Sequence, residues 1–169
     1  MVYFQKPGVA EAELEVDVRR SLRMIHFSLS GSAPEQLFFE PKSSTAGFLD
    51  GLIDPQELPR GMTQEDLDYY VAQYQQSGFR GGLNWYRNLD RDIEVTPQLE
   101  GKQILQPALF LAEEKDLVLK FLGMNLDAMR ALIPNLQGCV IVPGAGHWVP
   151  AEYPEEVNKS LLDFLKDWH

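Results

Sequence analysis

The pattern of apolar and polar positions changes character twice along the chain. Leu14, Val18, Leu22, Ile25 and Leu29 fall at steps of four, four, three and four, one apolar stripe at helical period. This predicts a helix over residues 10–30. His26 lies beside the stripe and reads as structural. Residues 31–62 lose the period. Gly31, Pro34, Pro41, Gly47, Gly51, Pro55, Pro59 and Gly61 punctuate them and predict loop and turns, with Phe38-Phe39 and Phe48-Leu49 as apolar anchors. A loop of this length inside a compact domain is uncommon and is often a lid or binding loop. Thr63-Gln-Glu-Asp66 has the form of a helix N-cap with an acid three residues on. The helix it opens is expected to reach about Ser77, with Leu67, Tyr70, Val71 and Tyr74 on one face and Gly78 as its stop. A short helix over residues 79–88 would place the adjacent Trp85 and Tyr86 on different sides.

From Leu99 the pattern is different. Residues 107–112 and 139–142 are short apolar runs, read as buried strands. Met124, Leu126, Met129 and Leu132 between them predict a helix that ends before Pro134. Pro154 suits a helix start, and Val157, Leu161, Leu162, Leu165 and Trp168 form the stripe of a closing helix. The fold class is therefore α/β, with an all-helical region over residues 1–98 and a βαβα region over 99–169. The second strand runs into Pro143-Gly-Ala-Gly146, a turn that delivers His147 just past the strand's end. Open α/β sheets carry their chemistry there. The first strand runs into Glu113, Glu114 and Asp116, three candidate acids, and Asp116 stands 31 residues before the histidine. Strand, acid, helix, strand, histidine is the closing half of the order nucleophile, acid, histidine used by α/β hydrolases. Two parallel strands cannot bury both faces and both edges by themselves, so the sheet is expected to be incomplete.

Composition narrows the function classes. The 169 residues are 44% hydrophobic, with a net charge of −10 at pH 7. That acidity argues against nucleic acid and anionic membranes as partners. No apolar run reaches the ~20 residues of a membrane helix, and the N-terminus lacks the pattern of a signal peptide. Cys139 is the one cysteine. It sits in an apolar strand and is expected to be buried, and an unpaired thiol fits a reducing cytoplasmic location.

Four segments carry a resemblance. They are Tyr3-Phe-Gln-Lys-Pro-Gly-Val-Ala-Glu-Ala-Glu-Leu-Glu15, Ser77-Gly-Phe-Arg-Gly-Gly-Leu-Asn-Trp-Tyr-Arg-Asn88, Pro107-Ala-Leu-Phe-Leu-Ala-Glu-Glu-Lys-Asp116 and Gly144-Ala-Gly-His-Trp148. In this order they resemble the C-terminal portion of a soluble-type epoxide hydrolase of the α/β-hydrolase fold. The resemblance implies a helical lid over 1–98 and the last part of the hydrolase core over 99–169. It implies an orienting acid at Asp116, favoured over Glu113 and Glu114 by the Lys-Asp-Leu-Val pattern, and a base at His147. It also implies that Tyr86, which the residues alone would assign to packing, binds the epoxide oxygen. Trp85 and Trp148 would line the substrate site. Tyr3 matches the tyrosine of the motif that follows the family's first lid tyrosine, and that lid tyrosine would precede Met1. The family uses no cofactor or metal, and its substrate is a small-molecule epoxide.

No Gly-x-Asp-x-Gly or Gly-x-Ser-x-Gly turn occurs in these residues, and neither does a His-Gly pair. The nucleophile and the oxyanion motif of the family are thus missing, and the chain alone is expected to be inactive. It is also expected to bind its missing N-terminal half or to self-associate. The competing readings are a non-catalytic remnant or interaction module derived from an α/β hydrolase, and a related hydrolase such as a dehalogenase.

Overall fold

The computed structural model describes residues 2–34, 43, 45–115 and 126–166. The chain forms two compact units. The first comprises residues 1–28, 36–58 and 62–100; the second comprises 29–35, 59–61 and 101–169.

The first unit is helical: α1 (Val2–Gln5), α2 (Val9–Leu14), most of α3 (Val18–Leu29), α4 (Gln64–Ser77), α5 (Arg80–Arg87), α6 (Leu89–Val95) and a 3₁₀ turn at Pro97–Leu99. The helix predicted over residues 10–30 is two helices. Asp17 ends the continuity, because its carboxylate accepts from the Arg20 N–H at 2.9 Å and so caps α3. The Ser21 hydroxyl then donates to the Leu14 carbonyl, 2.9 Å away, and holds the corner. The apolar stripe survives the break, with Leu14, Val18 and Leu22 all buried. They pack with Phe4, Ala10, Met24, Leu49, Leu52, Leu67, Val71, Phe79 and Leu83 in one core. Phe48 packs against this core and Leu49 is part of it, so the punctuated loop is anchored where its apolar pair predicts. Phe38 and Phe39 lie outside the described residues.

Helix α4 follows its local signals. The Thr63 hydroxyl accepts from Asp66 N–H and the Asp66 carboxylate accepts from Thr63 N–H, a reciprocal capping box. Gly78, at φ 67°, ends the helix. Leu67 and Val71 are buried, and Tyr70 stacks on His26 with ring centroids 5.6 Å apart. Burial pushes the His26 imidazole down to about 4. An open groove of about 580 Å³ lies along the α2–α3 corner and α4. It is lined by Glu15, Asp17, Arg19 and Asp68 among others, not by Trp85 or Tyr86.

The second unit is built on a two-stranded parallel sheet of β1 (Ala108–Glu113) and β2 (Leu136–Val142), with α7 (Leu126–Leu132) between them in sequence. The expected parallel neighbours are therefore present, and β2 begins three residues earlier than its apolar run. Helices α8 (Val149–Glu152) and α9 (Pro154–Leu165) close the unit. Its core is Val142, Ala145, Val149 and Val157, with Leu111, Val140 and Tyr153 against it.

One expectation fails in this unit. Cys139 is exposed rather than buried. Side chains alternate across a strand, and the face that carries Cys139 and Ile141 is the uncovered one, while Val142 is buried. The predicted closing helix is present; it buries Val157 and leaves Leu161, Leu162 and Leu165 exposed, and Trp168 lies outside the described residues. Among the described residues, no helix is long and apolar enough to cross a membrane.

Candidate functional site

The loops after β1 and β2 meet at the C-terminal end of the sheet. Glu114 N–H donates to the Val142 carbonyl at 3.2 Å, and Lys115 N–H donates to the Ala145 carbonyl at 3.1 Å. The Glu114 carboxylate in turn accepts from Gly144 N–H at 2.9 Å. One of the three candidate acids is thereby committed to holding the histidine turn. Gly144 takes φ 73°, which glycine tolerates and other residues rarely adopt. Asp116, the acid favoured by the resemblance, lies outside the described residues, one position beyond Lys115.

His147 follows directly. Its N–H donates to the Leu29 carbonyl at 2.8 Å. Its imidazole is exposed and lies edge-on to the Trp148 ring, with centroids 5.1 Å apart. Glu152 on α8 is 2% exposed, and its carboxylate accepts from the N–H groups of Gly31, Gly146 and Trp148. Lys115 Nζ donates to the Gly31 carbonyl at 3.1 Å. The backbone around the histidine is therefore crowded and fully tied. A Cβ added to Gly31 would lie 2.0 Å from the Gly144 carbonyl oxygen, and one added to Gly146 would lie 2.2 Å from Gly31 N.

In the helical unit, α5 presents Tyr86 half-exposed at 37% and Trp85 at 78%. The Tyr86 ring packs on Phe4 with centroids 5.2 Å apart. Gln5 Nε2 donates to the Tyr86 carbonyl at 2.9 Å. The next residue, Arg87, donates to the Phe4 carbonyl at 2.7 Å and grips Glu11 with both terminal nitrogens, at 2.7 and 3.0 Å. These contacts fix α5 on α1 and α2. The Arg87 hydrogen bonds hold the Glu11 carboxyl at about 2, against the opposing effect of burial. Tyr3 has a structural partner: its hydroxyl donates to Glu13 at 2.6 Å. Burial, and then that carboxylate, push the Tyr3 hydroxyl up to about 12. The same Glu13 accepts from Phe48 N–H and Leu49 N–H and so pins the loop after α3.

Glu152, Glu11 and Arg87 were not singled out in the sequence. Each has a partner far away in the chain, 121 residues for Glu152 with Gly31 and 76 for Glu11 with Arg87, beside local ones at Gly146 and Trp148 for Glu152 and at Gly8 for Glu11. The one local sign is an acid shortly after the histidine turn.

A parallel βαβ unit whose two C-terminal turns bring an acidic segment against a histidine turn is the closing part of an α/β-hydrolase fold. No protein-family model matches the chain. Epoxide hydrolase A of Mycobacterium tuberculosis is 40% identical over 98% of this chain and 51% of its own length. The bifunctional epoxide hydrolase 2 of Rattus norvegicus is 37% identical over 98% of this chain and 29% of its own. Among solved structures, epoxide hydrolase A of Mycobacterium thermoresistibile superposes with a TM-score of 0.86 at 45% identity, covering 98% of this chain and 51% of that one. An epoxide hydrolase from an endophytic Streptomyces gives 0.89 at 39% identity, covering 97% and 50%. The chain is a homologue of the α/β-hydrolase epoxide hydrolases and spans about half the length of the relatives of that size.

Proposed function

We propose that this chain supplies the water-activating half of an epoxide hydrolase, with His147 as base, Asp116 as its orienting acid and Tyr86 as a donor to the epoxide oxygen. In that reaction a carboxylate from outside these residues attacks an epoxide carbon. The C–O bond breaks, and the departing oxygen takes a proton from a tyrosine hydroxyl, leaving a hydroxyalkyl ester. An alkoxide is a poor leaving group at neutral pH, so such a donor lowers the barrier. His147 then takes a proton from water, and the hydroxide adds to the ester carbonyl. The diol departs with the imidazolium proton, and the carboxyl released with it gives up the hydroxide's proton, which returns through solvent to the tyrosinate, so that carboxylate, histidine and tyrosine are all regenerated. Asp116 would hold the imidazole tautomer and stabilise its charged form. Residues 1–98 would act as the lid, 99–169 as the last part of the core, and Trp85 and Trp148 as substrate-lining residues. An exposed, unpaired thiol suits a reducing cytoplasm as the working compartment.

The observation that supports this most is the pair of backbone links from Glu114 and Lys115 to the histidine turn. They bring the segment that leads to Asp116 against the turn that leads to His147. The test mixes the 169-residue chain with the N-terminal half of a relative and supplies a styrene-type epoxide. Diol formation is expected from the mixture and not from the chain alone. His147→Ala should accumulate a substrate-sized adduct on the other half, and Tyr86→Phe should slow adduct formation by ~10²-fold, as for loss of one oxyanion donor. Diol from the 169-residue chain alone, abolished by His147→Ala, would overturn the division of labour.

A further inference from the structure

We infer that Glu152 is the positioning residue for His147, a buried carboxylate that clamps the backbone on both sides of the histidine. The inference deepens the reading of His147 as the base and rests on it for its catalytic consequence. Three consecutive amides are involved. Gly146 N–H donates to Glu152 Oε2 at 3.3 Å, His147 N–H to the Leu29 carbonyl at 2.8 Å, and Trp148 N–H to Glu152 Oε1 at 3.3 Å. Oε2 also accepts from Gly31 N–H at 2.9 Å. One carboxylate therefore ties the histidine turn to the 29–31 segment that supplies the third acceptor. The imidazole is left with its side-chain rotations and little else.

The residue type matters. A buried carboxylate is costly unless its lone pairs are filled. All the partners of Glu152 among the described residues are backbone N–H groups, so its acceptor-only chemistry is matched to them. A glutamine would direct an NH₂ at one of these donors. An aspartate is one methylene short of the turn. Helical side chains lean toward the preceding turn, and α8 begins right after Trp148, so Glu152 reaches back over the residues it holds. The glycines permit this approach. A Cβ on Gly31 would come within 3.0 Å of Glu152 Oε2 as well as striking the Gly144 carbonyl. A base that must stand within hydrogen-bond reach of a single water gains rate from such fixation.

Two measurements test this. In the isotopically labelled 169-residue chain, the amides of Gly31, Gly146, His147 and Trp148 should resist hydrogen exchange although the His147 side chain is exposed. In Glu152→Gln they should exchange roughly 10-fold faster or more, with the β1–β2 amides unchanged, as for a local opening. In the complemented enzyme, Glu152→Gln should slow ester breakdown by ~10–100-fold while ester formation is unchanged, so that adduct accumulates. Rapid exchange of these amides in the unmutated chain overturns the clamp, and this needs no variant to fold. Equal slowing of both chemical steps overturns the positioning role. If the unmutated pair makes no diol, the epoxide-hydrolase reading fails while amide exchange still decides the clamp.

Discussion

The Glu11–Arg87 pair carries the sharpest prediction about the helical unit. Glu11 is 8% exposed and the Arg87 side chain 11%. The carboxylate accepts two hydrogen bonds from the guanidinium, at 2.7 and 3.0 Å, and one from Gly8 N–H at 2.8 Å. Glu11→Gln keeps the shape and removes the charge. Hydrogen bonds to charged groups contribute ~1.5–3 kcal/mol each, and the amide oxygen restores one neutral bond of ~1 kcal/mol. The substitution should therefore cost about 3–5 kcal/mol, the range for breaking a buried pair by removing one partner. The sign with pH follows from the carboxyl being held at about 2 against an ordinary 4.5. Such a depressed carboxyl stabilises the fold fully above about pH 4.5, and the contribution fades as pH falls toward 2. Urea unfolding followed by circular dichroism, which reads the helices of this unit, should show the full difference between native and Glu11→Gln chains at pH 7. It should narrow at about pH 3. A difference below ~0.5 kcal/mol at neutral pH, typical of an ordinary surface substitution, would refute the reasoning. So would a difference that persists unchanged in acid.

Three further outcomes are expected. Gly31→Ala should destabilise the second unit by ~2 kcal/mol or more, an overpacking cost, because its Cβ meets backbone rather than a movable side chain; denaturant titration reads this directly. Thr63→Ala should cost about 1 kcal/mol and fray the first turn of α4, seen as faster exchange of the amides of Asp66 and Leu67. Cys139 should react with a thiol reagent at nearly the rate of a free thiol in the chain alone, and more slowly when the chain is paired with the N-terminal half of a relative. Equal labelling rates in the two states would show that this strand face stays open.

What could be read in advance was local, and what could not be was distant. Helix α4 was legible because Thr63, Asp66 and Gly78 act within a few residues of one another. The break between α2 and α3 was hidden by a stripe that keeps its period across the corner, although Asp17 is a capping residue in plain view. Cys139 was misread for a physical reason. A continuous apolar run is the mark of a strand buried on both faces, yet only one face is covered here. The exposed Leu161, Leu162 and Leu165 repeat the point on α9. At the candidate site, the glycine-bounded turn and His147 were visible in the order of residues. Glu152 was not, because its meaning depends on Gly31, and adjacency in space leaves no periodic trace.

The buried charges of the two units argue for precision rather than stability. Replacing a buried ionic group by a well-packed apolar one is often neutral or stabilising, so their presence calls for a local reason. In the helical unit the Glu11–Arg87 pair, the Phe4 carbonyl and Gln5 converge on the two residues at the end of α5, Tyr86 and Arg87. In the second unit Glu152, Glu114 and the Leu29 carbonyl converge on residues 144–148. Each cluster grips backbone beside a residue that the resemblance marks for chemistry, and leaves that residue's side chain at least partly exposed to solvent. Under the roles proposed for Tyr86 and His147, scaffolding of this kind would hold the backbone of each residue fixed while its side chain meets the substrate site.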